Sequence, residues 1–201
     1  MFSGIKSNEH WSCQVAGWAT NSPPVDERER LELFEEKVLP HLDAAYNLAR
    51  WLAGNDHDAQ DVAQEASLRA FRFFGKFRGE NARAWLLAIV RNTFYTWLRK
   101  NRPPEDTLAI NDDVLAVEDD LANAKAINPQ FGDADAVRRA IAELPVEFRE
   151  IVVLREMEGF SYKEVAELAE VPIGTVMSRL ARARRLLQKR LAREFNRGDS
   201  P

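Results

Sequence analysis

Residues 159–191 carry the feature that most constrains the fold. Gly159-Phe160-Ser161-Tyr162-Lys163-Glu164 reads as a helix start. The Ser161 hydroxyl is placed to accept from the backbone N–H three residues on, and Glu164 to reach back to the N–H of Ser161, which is a capping box. Val165, Ala166 and Leu168 carry a short helix that Glu170-Val171-Pro172 ends, because proline brings no N–H and disfavours helical backbone in the residue before it. Gly174-Thr175-Val176 opens a second helix reaching about Leu191. Two helices joined by so tight a turn, with small Ala166 at the crossing and Val171, Val176 and Leu180 turned to one side, are predicted to form a helix-turn-helix.

The charge of the second helix fits a nucleic-acid partner, although the whole chain hides it. The 201 residues carry a net charge of -4, with 28 Lys and Arg against 32 Asp and Glu. From Val171 to Arg197 there are eight bases and Glu194 as the single acid; from Pro103 to Ala136 there are nine acids and Lys125 as the single base. The mild total is therefore an acidic middle set against a basic end. On the second helix Thr175, Ser178, Arg179, Arg182 and Arg185 step by three and four, so hydroxyls and guanidinium groups share a face suited to phosphates and guanine edges. A solvated basic helix is the lesser reading of the charge, and the turn pattern further favours the recognition helix.

The rest of the chain is predicted to be helical as well. Leu31, Phe34, Val38, Leu42, Ala45, Ala49 and Leu52 make an amphipathic stripe with Pro40 as a break within it. Val62, Ala66, Ala70 and Phe73 make a second, with Asp56 or Asp58 as its cap, and Leu86, Ile89, Val90, Thr93 and Trp97 a third that ends before Pro103-Pro104. Val137, Ile141 and Leu144 stop at Pro145, after which Phe148 and Val152 continue in a new helix. No segment alternates with strand period. The expected architecture is all-α: a mobile tail over 1–27, a helical domain over 28–102, an acidic flexible linker over 103–136, and a helix-turn-helix domain over 137–197. Cys13 is the sole cysteine, and His10, His41 and His57 are scattered, so no disulfide framework, metal site or cofactor is expected. No apolar run approaches the ~18 residues of a membrane span, and a cytoplasmic location is expected.

At this point the motifs resemble a known family. Leu144-Pro145, Arg149, Leu154-Arg155, Gly159-Phe160-Ser161-Tyr162, Glu164-Val165-Ala166, Val171-Pro172, Gly174-Thr175-Val176, Ser178-Arg179-Leu180 and Arg182-Ala183-Arg184 resemble region 4 of extracytoplasmic-function (ECF) RNA polymerase sigma factors, in the sigma-70 superfamily. Asp58-Ala59-Gln60-Asp61-Val62-Ala63-Gln64-Glu65, Leu68-Arg69-Ala70, Arg83-Ala84-Trp85-Leu86, Arg91-Asn92 and Trp97-Leu98-Arg99-Lys100 resemble their region 2. The resemblance implies an initiation factor that binds core RNA polymerase at its β′ clamp and β flap, recognises minus-10 and minus-35 promoter elements, promotes melting, and answers to an anti-sigma factor. It implies a monomer when free, with no small-molecule substrate and no catalysis of its own.

Carried over position by position, the resemblance assigns core-polymerase binding to Asp58, Asp61, Val62, Gln64, Glu65 and Arg69. Minus-10 DNA falls to Phe77, Gly79, Asn81, Arg83, Arg91, Asn92, Arg99 and Lys100. Minus-35 DNA falls to Lys163, Pro172, Thr175, Val176, Ser178, Arg179, Arg182 and Arg185. Bases interleaved with aromatics between Phe77 and Arg102 suit single-stranded DNA, since cations neutralise phosphate while rings stack on unpaired bases. Trp85 and Trp97 are expected in the core, as are Phe71, Phe73 and Phe74. The acidic linker is expected to thread a basic channel of the polymerase. A free-standing helix-turn-helix regulator and a decoy for an anti-sigma factor are the competing readings. The acidic linker and the region 2 resemblance argue against the first, and the second would be expected to carry a sensor or receiver domain.

Overall fold

The computed structural model describes residues 27–101 and 134–198. Residues 1–26, with Cys13 and His10, and the acidic stretch 102–133 lie outside them. Among the described residues the secondary structure is entirely helical, as expected.

The first domain holds four helices. Helix α1 (Glu27–Lys37) turns its Phe34 inward and leads to fully buried Val38. Pro40 then sits in a short 3-10 turn (Leu39–His41), the expected break, before α2 (Leu42–Ala53). Helix α2 closes on Gly54, whose φ of 78° is left-handed and whose N–H donates to the carbonyl of Arg50. Helix α3 (Asp56–Phe73) is capped by Asn55, whose side chain accepts from the N–H of Asp58 at 2.9 Å. Asp56 and Asp58, expected as the cap, lie in the first turn, one and three residues inside it, where acidic groups meet the positive end of the helix dipole. The buried stripe of α3 is Ala59, Val62, Ala66 and Ala70, small residues that let its backbone come close to α2 and α4. Helix α4 (Ala82–Asn101) starts where Asn81 Oδ1 accepts from the N–H of Ala84 at 2.9 Å.

Two expectations about aromatics change. Phe74 is buried and packs edge-on to Phe34 at 5.2 Å. Phe71 and Phe73, however, are 39% and 48% exposed, with Arg30 over the ring of Phe71 and Lys76 over that of Phe73. Phe73 lies in the last turn of α3, and it is the next residue, Phe74, that turns into the core. Trp85 and Trp97 are half-buried against the core rather than inside it.

The second domain begins with α5 (Ala134–Ala142), three residues inside the stretch read as linker. Helix α6 (Val146–Val152) runs into a wider π-helical turn (Val153–Met157). Helix α7 (Tyr162–Ala169) has the complete capping box at Ser161 and Glu164. Those hydrogen bonds, side chain first, hold the Glu164 carboxyl below its ordinary pKa. Helix α8 (Ile173–Gly198) buries Val176, Leu180, Ala183, Leu187 and Leu191, the spacing of one helical face, against α5, α6 and α7.

Between α7 and α8 the backbone of Glu170 is left-handed, with φ of 56°. That geometry crowds the Cβ of any residue but glycine, which is why helices so often end on Gly. Glu170→Gly is expected to raise the unfolding free energy of this domain by roughly 0.5–1 kcal/mol, the relief being partly offset by chain entropy. Urea titration checks it, and a loss of stability would show that the turn is not strained.

The two domains meet along one seam, where α2 and α4 of the first lie on α6 and α7 of the second.

Candidate polymerase and nucleic-acid interfaces

Three surfaces carry the residues singled out in the sequence. On α3, Asp61 and Gln64 are exposed, Asp58 is half-buried beside its Asn55 cap, and Glu65 pairs with Arg69 at 2.7 Å. Val62 does not belong with them. It is 1% exposed and packs in the core, because it sits on the Ala59–Ala66 stripe rather than the acidic face. The surface of α3 is thus polar and acidic over a small-residue underside, a form that suits a basic partner helix.

The second surface joins the loop at 77–81 to α4. Phe77 stacks on Phe74 at 5.8 Å and lies 5.0 Å from Trp85, so its ring is held at the root of the loop. Arg78, one of the bases interleaved with aromatics, donates to the carbonyls of Gly75 and Phe77 and ties the loop to the preceding turn. Gly79 is half-buried, and Asn81 spends its side chain on capping α4. At the far end of α4, Arg99 and Lys100 are exposed.

Arg83 and Arg91 are placed differently from the expectation that made them open DNA contacts. Arg83 donates to the backbone carbonyl of Glu158 at 2.9 Å and pairs with its carboxylate. Arg91 pairs with Glu150, gives a second N–H to the carbonyl of Ala169 at 2.8 Å, and reaches Asn92 Oδ1 at 3.3 Å. Tyr95 donates its hydroxyl to the other Glu150 oxygen at 2.8 Å. The reason is tertiary: one face of α4 is covered by the second domain. Glu150 itself is 1% exposed. Burial pushes its carboxyl above the ordinary carboxylate value, with Arg91, Tyr95 and the charge of Arg179 pulling it back. Burial and the neighbouring carboxylate also push the Tyr95 phenol far up, so it stays a hydrogen-bond donor. Tyr95 belongs to the aromatics interleaved with bases, but Glu150 did not stand out in the sequence; the separation of 59 residues between Arg91 and Glu150 leaves no local signal.

The third surface is α8 with the start of α7. Lys163 and Pro172 are exposed, Thr175 is half-buried, and the Ser178 hydroxyl donates to the Thr175 carbonyl at 3.0 Å. Arg179, Arg182 and Arg185 are half-buried along the helix. Val176, assigned to DNA, is 0% exposed and belongs to the core of the helix-turn-helix. Its neighbours Ile173 and Met177, 46% and 42% exposed, occupy the surface instead. Their i, i+4 spacing off the Val176–Leu180 stripe was the signal available for them. Arg184 is held by Glu156 at 2.6 Å, and Arg190 reaches Glu143 at 3.5 Å. Between Ile173 and Ala192 there is no acidic residue at all.

Comparison with known proteins gives these surfaces a family. Residues 38–103 match the model of Sigma-70 region 2, and residues 134–187 that of Sigma-70, region 4. The RNA polymerase sigma-H factor of Pseudomonas aeruginosa is 39% identical over 166 residues, covering 79% of this chain and 86% of that one. The chain belongs to the ECF RNA polymerase sigma factors. A second relative, the ECF RNA polymerase sigma factor SigE of Mycolicibacterium smegmatis, is 36% identical over 161 residues, 80% of this chain but 62% of the relative's length. Among solved structures, the sigma factor RpoE of Bartonella quintana, crystallised with the anti-sigma factor NepR, is 32% identical with a TM-score of 0.61 over 80% of this chain and 98% of that one. CnrH, solved with the cytosolic domain of CnrY, shares the fold at 22% identity and a TM-score of 0.53. The region 2 match in this sigma factor accordingly falls on α2 to α4, and the region 4 match on α5 to the middle of α8. No helix among its described residues is long and apolar enough to cross a membrane.

Proposed function

We propose that this ECF sigma factor binds core RNA polymerase through the acidic face of α3, around Asp58, Asp61, Gln64, Glu65 and Arg69. It then directs the enzyme to promoters by using the 77–81 loop and α4 on the minus-10 element and α8 on the minus-35 element. Residues 28–102 and 137–197 are its two working units, with the acidic connector between them in the polymerase channel. The factor works in the cytoplasm, is monomeric when free, and contributes no catalytic step. Melting follows from trapping unpaired bases on Phe77 and its neighbours rather than from nucleotide hydrolysis. Because the Bartonella relative was solved with an anti-sigma factor, a soluble or membrane-tethered protein of that kind is the expected regulator.

The observation that carries this reading is the acid-free stretch Ile173–Ala192 of α8, presented by a helix-turn-helix that buries Val176, Leu180, Ala183, Leu187 and Leu191. A helix with that polarity has nothing to gain from a protein core on its outer face, and much from phosphate. The experiment is run-off transcription from genomic fragments by core polymerase with and without the purified factor. Factor-dependent transcripts sharing two spaced promoter elements support the reading, whereas neither transcript nor binding to core would sink it. In the same assay Arg182→Ala is expected to weaken minus-35-dependent binding by about 1–3 kcal/mol if the guanidinium makes a bidentate base contact. An unchanged promoter profile would remove Arg182 from the interface.

A further inference from the structure

The outward side of α8 is not uniformly cationic. Ile173 and Met177 stand on its first two turns and are exposed, although large apolar side chains normally turn inward. Four residues apart, they are neighbours on the helix surface. The positions that border Met177 at three and four residues are small: exposed Gly174, where a Cβ would meet no atom within 4 Å, and half-buried Ala181. Met177 therefore rises above its surroundings, with open space beside it.

The polar groups nearest the pair are engaged within the protein. Arg184, two turns beyond Met177 on the same side, is held by Glu156 at 2.6 Å, and the Ser178 hydroxyl donates to the Thr175 carbonyl at 3.0 Å. What this edge offers a partner is an apolar ridge of aliphatic carbon and thioether. The helix that carries it has no acidic residue from Ile173 to Ala192, so the ridge sits in a cationic field that draws phosphate. A partner matched to both must be a polyanion with an apolar group on its reading edge. Duplex DNA has one in the major groove, the 5-methyl of thymine.

We propose that Met177, with Ile173 beside it, reads the 5-methyl of a thymine in the minus-35 element, so that one position of that element is set by apolar contact rather than by hydrogen bonding. This rests on the reading of α8 as the minus-35 helix. The residues at the start of a recognition helix are the ones that meet base edges, and Ile173 and Met177 are at that end. Methionine is unbranched and adapts its shape to the surface it meets. Cytosine at the same position is rejected twice over. It lacks the methyl, and its amino group would bring an N–H against a side chain that has no good acceptor for it.

The test uses holoenzyme assembled from core polymerase and the full chain. Promoters with a randomised minus-35 element are enriched by binding, and each thymine of the selected element is then replaced in turn by uracil, which removes the methyl and nothing else. One position, or two adjacent ones, is expected to lose about 3–5-fold in affinity, as for the burial of a single methyl. With Met177→Ala the same replacement is expected to cost nothing. Met177→Gln is expected to move the preference at that position from thymine to adenine, whose N6 and N7 a carboxamide pairs with. Circular dichroism of both variants should match the parent, since Met177 lies outside the core. A selected element with no uracil-sensitive position would overturn the assignment, as would a uracil penalty that persists in Met177→Ala. Weaker binding of Met177→Ala to core polymerase without DNA would overturn it as well, by giving the ridge to a protein interface. If no minus-35 sequence is enriched at all, it is the reading of α8 as the minus-35 helix that fails, and the thymine contact falls with it.

Discussion

Replacing Glu150 by Ala is expected to lower the unfolding free energy by about 3–5 kcal/mol, the cost of leaving a buried partner uncompensated. Two donors converge on its carboxylate, the Arg91 guanidinium and the Tyr95 hydroxyl, and the side chain is 1% exposed. The substitution also leaves a void beside Arg91 and Tyr95, where the carboxylate sat. Restoring apolar complementarity is the sharper measurement. A chain carrying Arg91→Met, Tyr95→Phe and Glu150→Leu together is expected to recover most of the loss, because no charge is then stranded. Chemical denaturation of the single and triple variants separates the two contributions. If Glu150→Ala is nearly neutral, the carboxylate is not carrying the buried pair.

Leu180→Ala is expected to be as damaging, and more selectively. Leu180 is 2% exposed and lies between Val176 and Ala183 on the side of α8 that closes the helix-turn-helix. Losing a buried leucine costs about 2–5 kcal/mol, most of a small domain's margin. Region 4 should therefore melt at far lower temperature than region 2, visible as a transition split in two by calorimetry. Transcription from promoters that need a minus-35 element should fall with it. A single unshifted transition would mean that the α8 core tolerates the cavity.

Most of the fold was legible because helical periodicity and capping are local. Ser161 and Glu164 stand three residues apart, and the capping box they predicted is the one observed. Pro40 and Pro172 break helices wherever they fall, since the missing N–H is a covalent fact. The site was less legible because facing depends on what covers each helix. Val62 and Val176 lie within recognisable motifs yet point into the core, while Arg83 and Arg91 carry the right charge but meet another domain. Sequence spacing places a residue on a helix; it does not say which neighbour arrives from 59 or 75 positions away.

Phe34, Phe74, Phe77 and Trp85 form a continuous run of touching rings from α1 to the start of α4, ending with the indole 5.0 Å from Phe77. Indole emission is sensitive to the rings and polarity around it. The protein therefore carries an intrinsic optical reporter at the root of the 77–81 loop. With the other four tryptophans replaced by phenylalanine, the colour and quenching of Trp85 would follow that loop's movement in real time as a promoter opens, with no dye attached.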